Sequence, residues 1–312
     1  MKKLLLTLGV IVLLLWGATW HPATGQWVYH NTQQLEAALY GFDEQSIAVG
    51  DVQFSVYQRP ATSADAPTLV LLHGYTASKE LWLRFANQLS TDFNILIPDL
   101  PGHGKTGFDP QWSYRPSVQA ARLEGLLNAL AIEQATFIGN SMGGLIAANF
   151  ALDYPQRLSA LVVIDPAGVE APEPSPAERL FRQGKSPFLI KSWQDFKAFY
   201  AMTMAEPPYV PEFVLRGMAA EYEKRKAQFA QIAEDFRHFD QVEQRLNLVQ
   251  APTLIVWGEA DQLLDVSSAT IWHQQLPHSE LSILEGVGHM PMVERPEQTA
   301  KRVQDFLKGL EK

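Results

Sequence analysis

The sequence contains no cysteine, which excludes disulfide bonds, thiol catalysis, cysteine-based zinc sites and lipidation of an N-terminal cysteine. Positive charge is scarce as well: 25 lysines and arginines stand against 34 aspartates and glutamates, a formal net charge of −9. No basic tract is present, which argues against a nucleic-acid partner. With 312 residues, 46% of them hydrophobic, the chain can form one α/β domain with an insertion or two small domains.

Charge is absent altogether from residues 4–20, which follow Lys2 and Lys3. A helix of this length spans about 25 Å, slightly less than a hydrocarbon core of about 30 Å. Two interpretations stay open: a cleaved signal peptide followed by secretion, and an uncleaved signal-anchor with Trp16 and Trp20 at the membrane interface. Residues 17–19, which are followed by Trp20, match a cleavage site poorly, so we favour the anchor. The anchor places the rest of the chain across the inner membrane, on its periplasmic side.

An alternation of apolar runs and helical patterns follows, and it predicts an α/β protein with a doubly wound, mostly parallel sheet. A hairpin is predicted at residues 46–57, where apolar and polar residues alternate around a Gly-Asp turn. Continuous apolar runs, typical of strands buried on both faces, predict strands at 68–72, 93–98, 135–139, 158–164, 253–257 and 281–284. The predicted helices of the core are 79–89, 117–130, 267–275 and 296–310.

The alternation is interrupted between residues 169 and 251, where helical patterns and proline-containing loops occur without a convincing strand. A helical cap inserted into the sheet domain accounts for this interruption. The predicted organisation is therefore a signal-anchor or signal peptide at 1–20, a juxtamembrane segment with a helix near Thr32–Tyr40 at 21–45, the core at 46–168 and 252–312, and the cap at 169–251.

Residues 135–144, with the sequence ATFIGNSMGG, place Ser141 between Gly139 and Gly143. A β-branched and aromatic run precedes the serine and a small-residue helical pattern follows it, so the segment reads as strand, sharp turn and helix. Such a turn strains the backbone of the serine and presents its Oγ above the end of a sheet. The glycines fit the close approach of backbone in the turn. Ser141 is thus the candidate nucleophile.

A serine hydroxyl needs a base, and the base needs an acid to orient it. His289 lies in a loop just beyond the predicted strand at 281–284, and Asp261 lies just beyond the strand at 253–257. Two other carboxylates stay open as the acid: Asp265, four residues further on, and Asp165, which follows the strand at 158–164.

Backbone N–H groups near the serine are candidates for stabilising an oxyanion. Tyr75 follows the buried strand at 68–72, and its N–H is placed to share an oxyanion site with that of Met142. His73 and the Asp99–His103 loop also end predicted strands, but we interpret them as structural turns.

Together these motifs resemble the α/β-hydrolase superfamily, and among its members the membrane-anchored monoacylglycerol lipases and related bacterial lipases. The resemblance covers nearly everything from Ile47 to the C-terminus and includes the order Ser, Asp, His. It implies an α/β-hydrolase fold with a helical cap, a serine hydrolase mechanism and no metal or cofactor. The roles it implies are nucleophile for Ser141, acid for Asp261, base for His289 and oxyanion donors for Tyr75 and Met142.

The cap sequence supports an acyl ligand, since apolar pockets with few polar groups suit alkyl chains. Its apolar and aromatic residues are Leu180, Phe181, Phe188, Leu189, Ile190, Trp193, Phe196, Phe199, Tyr200, Met202 and Met204. We therefore predict hydrolysis of lipid esters, monoacylglycerols above all. The alternatives are a short-chain carboxylesterase, a ligand receptor on the same fold, and a carbon–carbon bond hydrolase of ring-cleavage products. Met290 argues against the last, because a tryptophan is expected after the histidine of those enzymes.

Overall fold

A computed structural model of the chain describes residue 17 and residues 21–63, 65–237 and 242–310. Apart from residue 17, the predicted anchor at residues 4–20 lies outside this part of the chain. Among the helices that are described, none combines the length and the apolar character needed to cross a bilayer. The anchor therefore stays a prediction.

Eight strands form a single sheet in the order β1-β2-β4-β3-β5-β6-β7-β8. The neighbours from β4 through β3 to β8 pair in parallel, whereas β1 pairs antiparallel with β2, and β2 with β4. This confirms the predicted mostly parallel sheet. The strands are β1 (Asp43–Val49), β2 (Val52–Arg59), β3 (Thr68–Leu72), β4 (Asn94–Pro98), β5 (Ala135–Asn140), β6 (Leu158–Ile164), β7 (Thr253–Gly258) and β8 (Ser279–Leu284).

Helices cover both faces of the sheet, and α5 to α7 lie between β6 and β7 in the chain, where the cap was predicted. The α-helices are α1 (Pro22–Leu39), α2 (Leu83–Asn87), α3 (Pro116–Ala129), α4 (Met142–Asp153), α5 (Pro176–Arg182), α6 (Trp193–Thr203), α7 (Glu212–Arg237), α8 (Ser267–Gln275), α9 (Pro291–Glu294) and α10 (Pro296–Leu310). Short 3₁₀ helices are Lys79–Trp82, Pro155–Arg157 and Val242–Leu248.

Side chains of the central strands alternate between two apolar cores, one on each face of the sheet. In β3, Val70 and Leu72 belong to the core formed with α3, α4 and α8, whereas Leu69 and Leu71 belong to the core under α2 and α10. Burial on both faces explains why the central strands read as continuous apolar runs. The same arrangement brings the carboxyl ends of β3 to β8 to one edge of the sheet.

Helix α1 begins ten residues before the helix predicted at Thr32–Tyr40. Pro22 occupies its first turn, and His21 caps it by accepting the backbone N–H of Ala23 at 3.2 Å. The helix packs against α7 at a crossing of two glycines. A Cβ on Gly25 would lie 2.0 Å from the carbonyl oxygen of Phe213, and one on Gly217 would lie 2.4 Å from the backbone nitrogen of Gln26. Glycines at this contact contribute no apolar side chains to the sequence pattern. The hydrophobic periodicity therefore predicted only the C-terminal part of α1.

Two other elements differ from the prediction. The helix predicted at residues 79–89 is divided into a 3₁₀ turn and α2, and the buried side chain of Lys79 at its start lies 2.7 Å from Asp99. Strand β1 begins at Asp43, so the last residues of the segment predicted as juxtamembrane belong to the sheet.

Candidate active site

Ser141 occupies the sharp turn between β5 and α4, with a φ of 55° and a ψ of −117°. This left-handed backbone is costly for a residue with a side chain. The flanking glycines are required by space, because a Cβ on Gly139 would lie 2.3 Å from the carbonyl oxygen of Gly143. A Cβ on Gly143 would lie 2.3 Å from that of Leu72. The serine is thus held where β5 ends, and it lines the large cavity described below.

His289 and Asp261 lie at the ends of β8 and β7, and both are buried. The Nδ1 of His289 is 2.7 Å from Oδ2 of Asp261, and the other carboxylate oxygen accepts the N–H groups of Leu263 at 2.7 Å and Leu264 at 3.0 Å. A carboxylate only accepts hydrogen bonds, so Nδ1 carries a proton, and in the neutral form of the imidazole the lone pair is on Nε2. This tautomer suits a general base.

Asp165 is the second carboxyl group at this point. Its side chain lies with those of Asp261 and His289, all three offering atoms within 4.8 Å of one another. One of its oxygens accepts the N–H of Gly258 at 2.8 Å. Burial, reinforced by the charge of Asp261, raises the pKa of the Asp165 carboxyl well above its ordinary value. The raised pKa favours a proton on Asp165.

The rival acids are thus separated by their contacts. Asp265 accepts the N–H of Ser267 at 3.0 Å, in the first turn of α8. Asp261 makes the hydrogen bond to the histidine. A cation bound among Asp165, Asp261 and His289 would have to replace that hydrogen bond, and the absence of a metal stays a prediction.

The predicted oxyanion donors lie on either side of the elbow. Met142 is the first residue of α4, and the first N–H groups of a helix have no acceptor within it. Gly74 lies against the elbow, since a Cβ there would be 3.2 Å from both the Oδ1 of Asn140 and the Cβ of Ser141. Tyr75 follows it and donates its hydroxyl to the carbonyl of Phe229 in α7, at 2.5 Å. The oxyanion loop is thereby tied to the cap.

His73 and His103 have structural contacts, as the sequence interpretation held. The Nε2 of His73 accepts the N–H of Leu100 at 3.0 Å, and its Nδ1 donates to the carbonyl of Gly74 at 2.9 Å. Burial, with the neighbouring His73 ring, holds the pKa of His103 well below its ordinary value. Both rings are therefore neutral parts of the loop packing.

A cavity of about 570 Å³ lies above the elbow and contains both Ser141 and His289 in its wall. From the cap it is lined by Phe188, Phe196, Phe199, Tyr200, Met204, Val214, Met218, Tyr222 and Phe229. Of the cap residues singled out in the sequence, Phe181 and Leu189 are instead substantially exposed. The cavity joins a reactive edge to an apolar chamber, which is the shape expected for a substrate with an alkyl chain.

A family model for the alpha/beta hydrolase fold matches residues 67–296. The chain belongs to this family. Lipase 1 of Psychrobacter immobilis is 35% identical over 283 residues, which cover 89% of this chain and 88% of that lipase. A monoacylglycerol lipase of Xenopus laevis is 28% identical over 285 residues, covering 87% of this chain and 84% of that protein. The predicted resemblance is thereby confirmed, and with it the prediction of a carboxylic ester hydrolase.

A solved structure extends the similarity to the whole chain. A membrane phospholipase A, described as a bacterial virulence factor, superimposes on this α/β-hydrolase with a TM-score of 0.87 at 33% identity. The match covers 100% of this chain and 99% of that one.

Three parts of the site of this α/β-hydrolase were missed in the sequence. Asn140 donates through Nδ2 to the carbonyl oxygens of Ile164 and His289, each at 3.1 Å, and so joins the elbow to the histidine loop. Glu294 accepts the N–H of Gly288 at 2.8 Å. Helix α1 forms one wall of the cavity. The signals were slight: an Asn beside the serine, and an acidic residue before Arg-Pro.

Proposed function

We propose that this protein is a serine hydrolase that cleaves carboxylic esters of lipids, monoacylglycerols first among them. The proposal rests on the 2.7 Å hydrogen bond between His289 and Asp261. His289 and Ser141 both lie in the wall of the same largely apolar cavity. A base with its lone pair available and a serine presented on a strained turn are the two requirements of nucleophilic ester cleavage.

Ser141 attacks the ester carbonyl while Nε2 of His289 takes the proton from its hydroxyl. Asp261 stabilises the imidazolium that forms, because its carboxylate is held in place by two backbone N–H groups. The negative oxygen of the tetrahedral intermediate is accepted by the backbone N–H groups of Met142 and Tyr75. Removing one such donor from a serine hydrolase typically lowers the rate about 10²- to 10³-fold.

His289 then donates its proton to the leaving glycerol oxygen, and the acyl group stays on Ser141 as an ester. A water molecule enters, gives a proton to His289 and attacks the acyl carbon. Collapse of the second intermediate releases a fatty acid and restores the serine hydroxyl. Each step needs only acid–base groups of this chain.

The substrate class follows from the chamber above the serine. Its aromatic and methionine side chains accept an alkyl chain, and burial of each methylene is worth about 0.8 kcal/mol. A lipid ester with one acyl chain fits an enclosed space of this kind, and the similarity to lipases and a monoacylglycerol lipase points the same way.

The test is a substrate panel with the full chain. We expect turnover of 1-monoacylglycerol, and of p-nitrophenyl esters with a rate that rises with chain length, both abolished in Ser141→Ala. Ser159→Ala is the matched control, because Ser159 is an exposed serine of β6. Turnover confined to acetyl esters would replace the lipase by a short-chain esterase. Turnover confined to a dienoate ring-cleavage product would establish the carbon–carbon hydrolase.

We also propose that residues 4–20 anchor the protein in the inner membrane, with the catalytic part on the periplasmic side. The uncharged run of residues supports this, as does the outer face of α1. There, Trp27, Leu35 and Leu39 are 65%, 60% and 74% exposed. The one carboxylate of that helix, Glu36, binds Arg84 at 2.7 Å.

The anchor is tested by fractionation and by the mass of the mature protein. We expect the full-length mass in the membrane fraction, with the protein accessible to protease only from the periplasm. A soluble protein starting beyond Trp20 would instead establish cleavage and release.

A further inference from the structure

Glu294, the last residue of α9, has a buried carboxylate that accepts three backbone N–H groups. Its Oε1 accepts the N–H of Gly288 at 2.8 Å, and its Oε2 accepts those of Ala205 at 2.9 Å and Glu206 at 2.8 Å. Hydrogen bonds to an ionised acceptor are about twice as strong as neutral ones. Three of them on one buried carboxylate define its position tightly.

The three N–H groups belong to two separate parts of the site. Gly288 immediately precedes His289, in the loop after β8. Ala205 and Glu206 follow α6, next to Met204, whose side chain lines the cavity. One carboxylate therefore holds both the histidine loop and the segment that carries the chain out of the cap helix α6.

The two segments are also in direct contact. A Cβ on Gly288 would lie 2.6 Å from the backbone nitrogen of Ala205 and 2.9 Å from the Cα of Met204. No side chain fits between them, so a displacement of this cap segment cannot occur without disturbing the environment of Gly288. On the opposite side, the carbonyl of His289 is held by Asn140.

We propose that Glu294 is a positioning residue that makes the placement of His289 depend on the seating of the cap. This rests on the proposed role of His289 as the base. When the cap segment is in place, Oε2 is satisfied by Ala205 and Glu206, and Oε1 fixes Gly288. When that segment moves away, the carboxylate loses two of its partners and turns towards solvent, and the histidine loop loses its tether. Substrates whose acyl chain fills the cavity and seats the cap therefore react fastest.

The test compares Glu294→Gln with Glu297→Gln, an exposed glutamate in the first turn of α10. The amide of Glu294→Gln keeps one acceptor and places an NH₂ group against the other N–H groups, so the bridge is broken at one end. We expect kcat per active site to fall on the order of tenfold to a hundredfold with a long-chain ester, the usual scale for a misplaced catalytic group. KM is expected to change less than threefold, and Glu297→Gln to stay within twofold of the wild type.

Active sites are counted by the burst of a fluorophosphonate probe, so that loss of folded protein does not enter kcat. The ratio of kcat for long-chain to short-chain esters is expected to fall in Glu294→Gln. In the proposal a long chain raises kcat because it seats the cap, and Glu294 transmits the seating of the cap to His289. Glu294→Asp keeps the charge and withdraws it by one methylene, and it is expected to recover part of the lost kcat.

A purely structural glutamate would lower the melting temperature but leave kcat per active site and the chain-length preference unchanged, and that result would overturn the proposal. The proposal would also be overturned if Glu294→Asp recovered none of the kcat that is lost in a folded Glu294→Gln variant. If the wild type itself fails to turn over esters or to label at Ser141, the proposed function is at fault instead.

Discussion

Two groups of carboxylates, each containing a buried aspartate, lie at the same edge of the sheet and have different partners. In the lysine cluster, Lys79 Nζ lies 2.7 Å from Asp99, 3.1 Å from Glu44 and 3.2 Å from Glu80. Asp99 follows β4, just as Asp261 follows β7. The second group, the histidine cluster, consists of Asp165, Asp261 and His289.

The difference lies in how the negative charge is compensated. Burial opposes the charge of Lys79, but Asp99 and Glu80 outweigh it and raise the pKa of the lysine above its ordinary value. The lysine cluster is therefore an ion-pair network that joins the segments after β3 and β4 to strand β1. In the histidine cluster the partner of Asp261 is the imidazole of His289, and the raised pKa of Asp165 marks a proton retained beside this pair. In the proposed mechanism the imidazole takes up the proton that Ser141 releases.

The largest expected effect is in the histidine cluster. Asp261→Asn should lower kcat about 10⁴-fold, because an amide at this position favours the wrong tautomer of His289. Its oxygen can still accept the N–H groups of Leu263 and Leu264, so we expect the free energy of unfolding to fall by less than about 1 kcal/mol. The measurements are kcat with a long-chain ester and urea unfolding.

Asp265→Asn is the matched control, since asparagine also accepts the N–H of Ser267. A loss of activity in Asp265→Asn equal to that in Asp261→Asn would reassign the acid.

Substitutions in the lysine cluster should lower the free energy of unfolding more than they lower kcat. Lys79→Met leaves the Asp99 carboxylate buried without its cation, and breaking such a pair typically costs about 3–5 kcal/mol. Urea unfolding measures this loss, and kcat per active site of the folded enzyme should fall much less than in Asp261→Asn. Lys105→Met, which removes a half-exposed partner of Glu44, should cost less than about 1 kcal/mol. Equal losses in the two variants would contradict the distinction.

The smallest expected effect concerns Asp165 and depends on pH. In the unfolded chain this carboxyl ionises near 3.8, whereas in the folded protein its pKa is raised. Its contribution to stability is thus fully present below about pH 3.8 and is lost as the pH rises towards the folded pKa. Asp165→Asn removes this dependence and keeps the acceptor for Gly258.

Melting curves of Asp165→Asn and wild type at two pH values provide the check. We expect a gain in Tm of about 2–5 °C at pH 8 and less than about 1 °C at pH 4, with kcat within about tenfold of wild type. A difference in Tm that is the same at both pH values would show that Asp165 keeps no extra proton.

Much of the fold could be predicted because the signals are local. Apolar runs locate the strands, and helices α8 and α10 were predicted at residues 267–275 and 296–310, where the structure has them. The turn around Ser141 could be predicted from Gly139 and Gly143. At each of these positions a Cβ would clash with a backbone carbonyl. Asp261 and His289 were candidates because each lies just past a strand.

The rest depends on contacts between residues far apart in the chain. Glu294 accepts the N–H groups of Ala205 and Glu206 across 89 and 88 residues, and the only local signal is an acidic residue before Arg-Pro. The choice among Asp165, Asp261 and Asp265 was open because Asp165 and Asp261 each follow a strand closely and Asp265 lies four residues beyond Asp261. Only the three-dimensional arrangement shows which one meets the histidine. Helix α1 contacts α7 through glycines and not through an apolar stripe, so its place in the cavity wall could not be predicted from the sequence.

In the proposed mechanism Ser141 carries the acyl group during turnover. This is measured by quenching the enzyme during steady-state hydrolysis of a long-chain p-nitrophenyl ester and identifying the acylated peptide by mass spectrometry. We expect the acyl mass on the peptide containing Ser141, in the wild type and in Ser159→Ala, and no adduct in Ser141→Ala. An adduct on another residue, or undiminished turnover in Ser141→Ala, would contradict it.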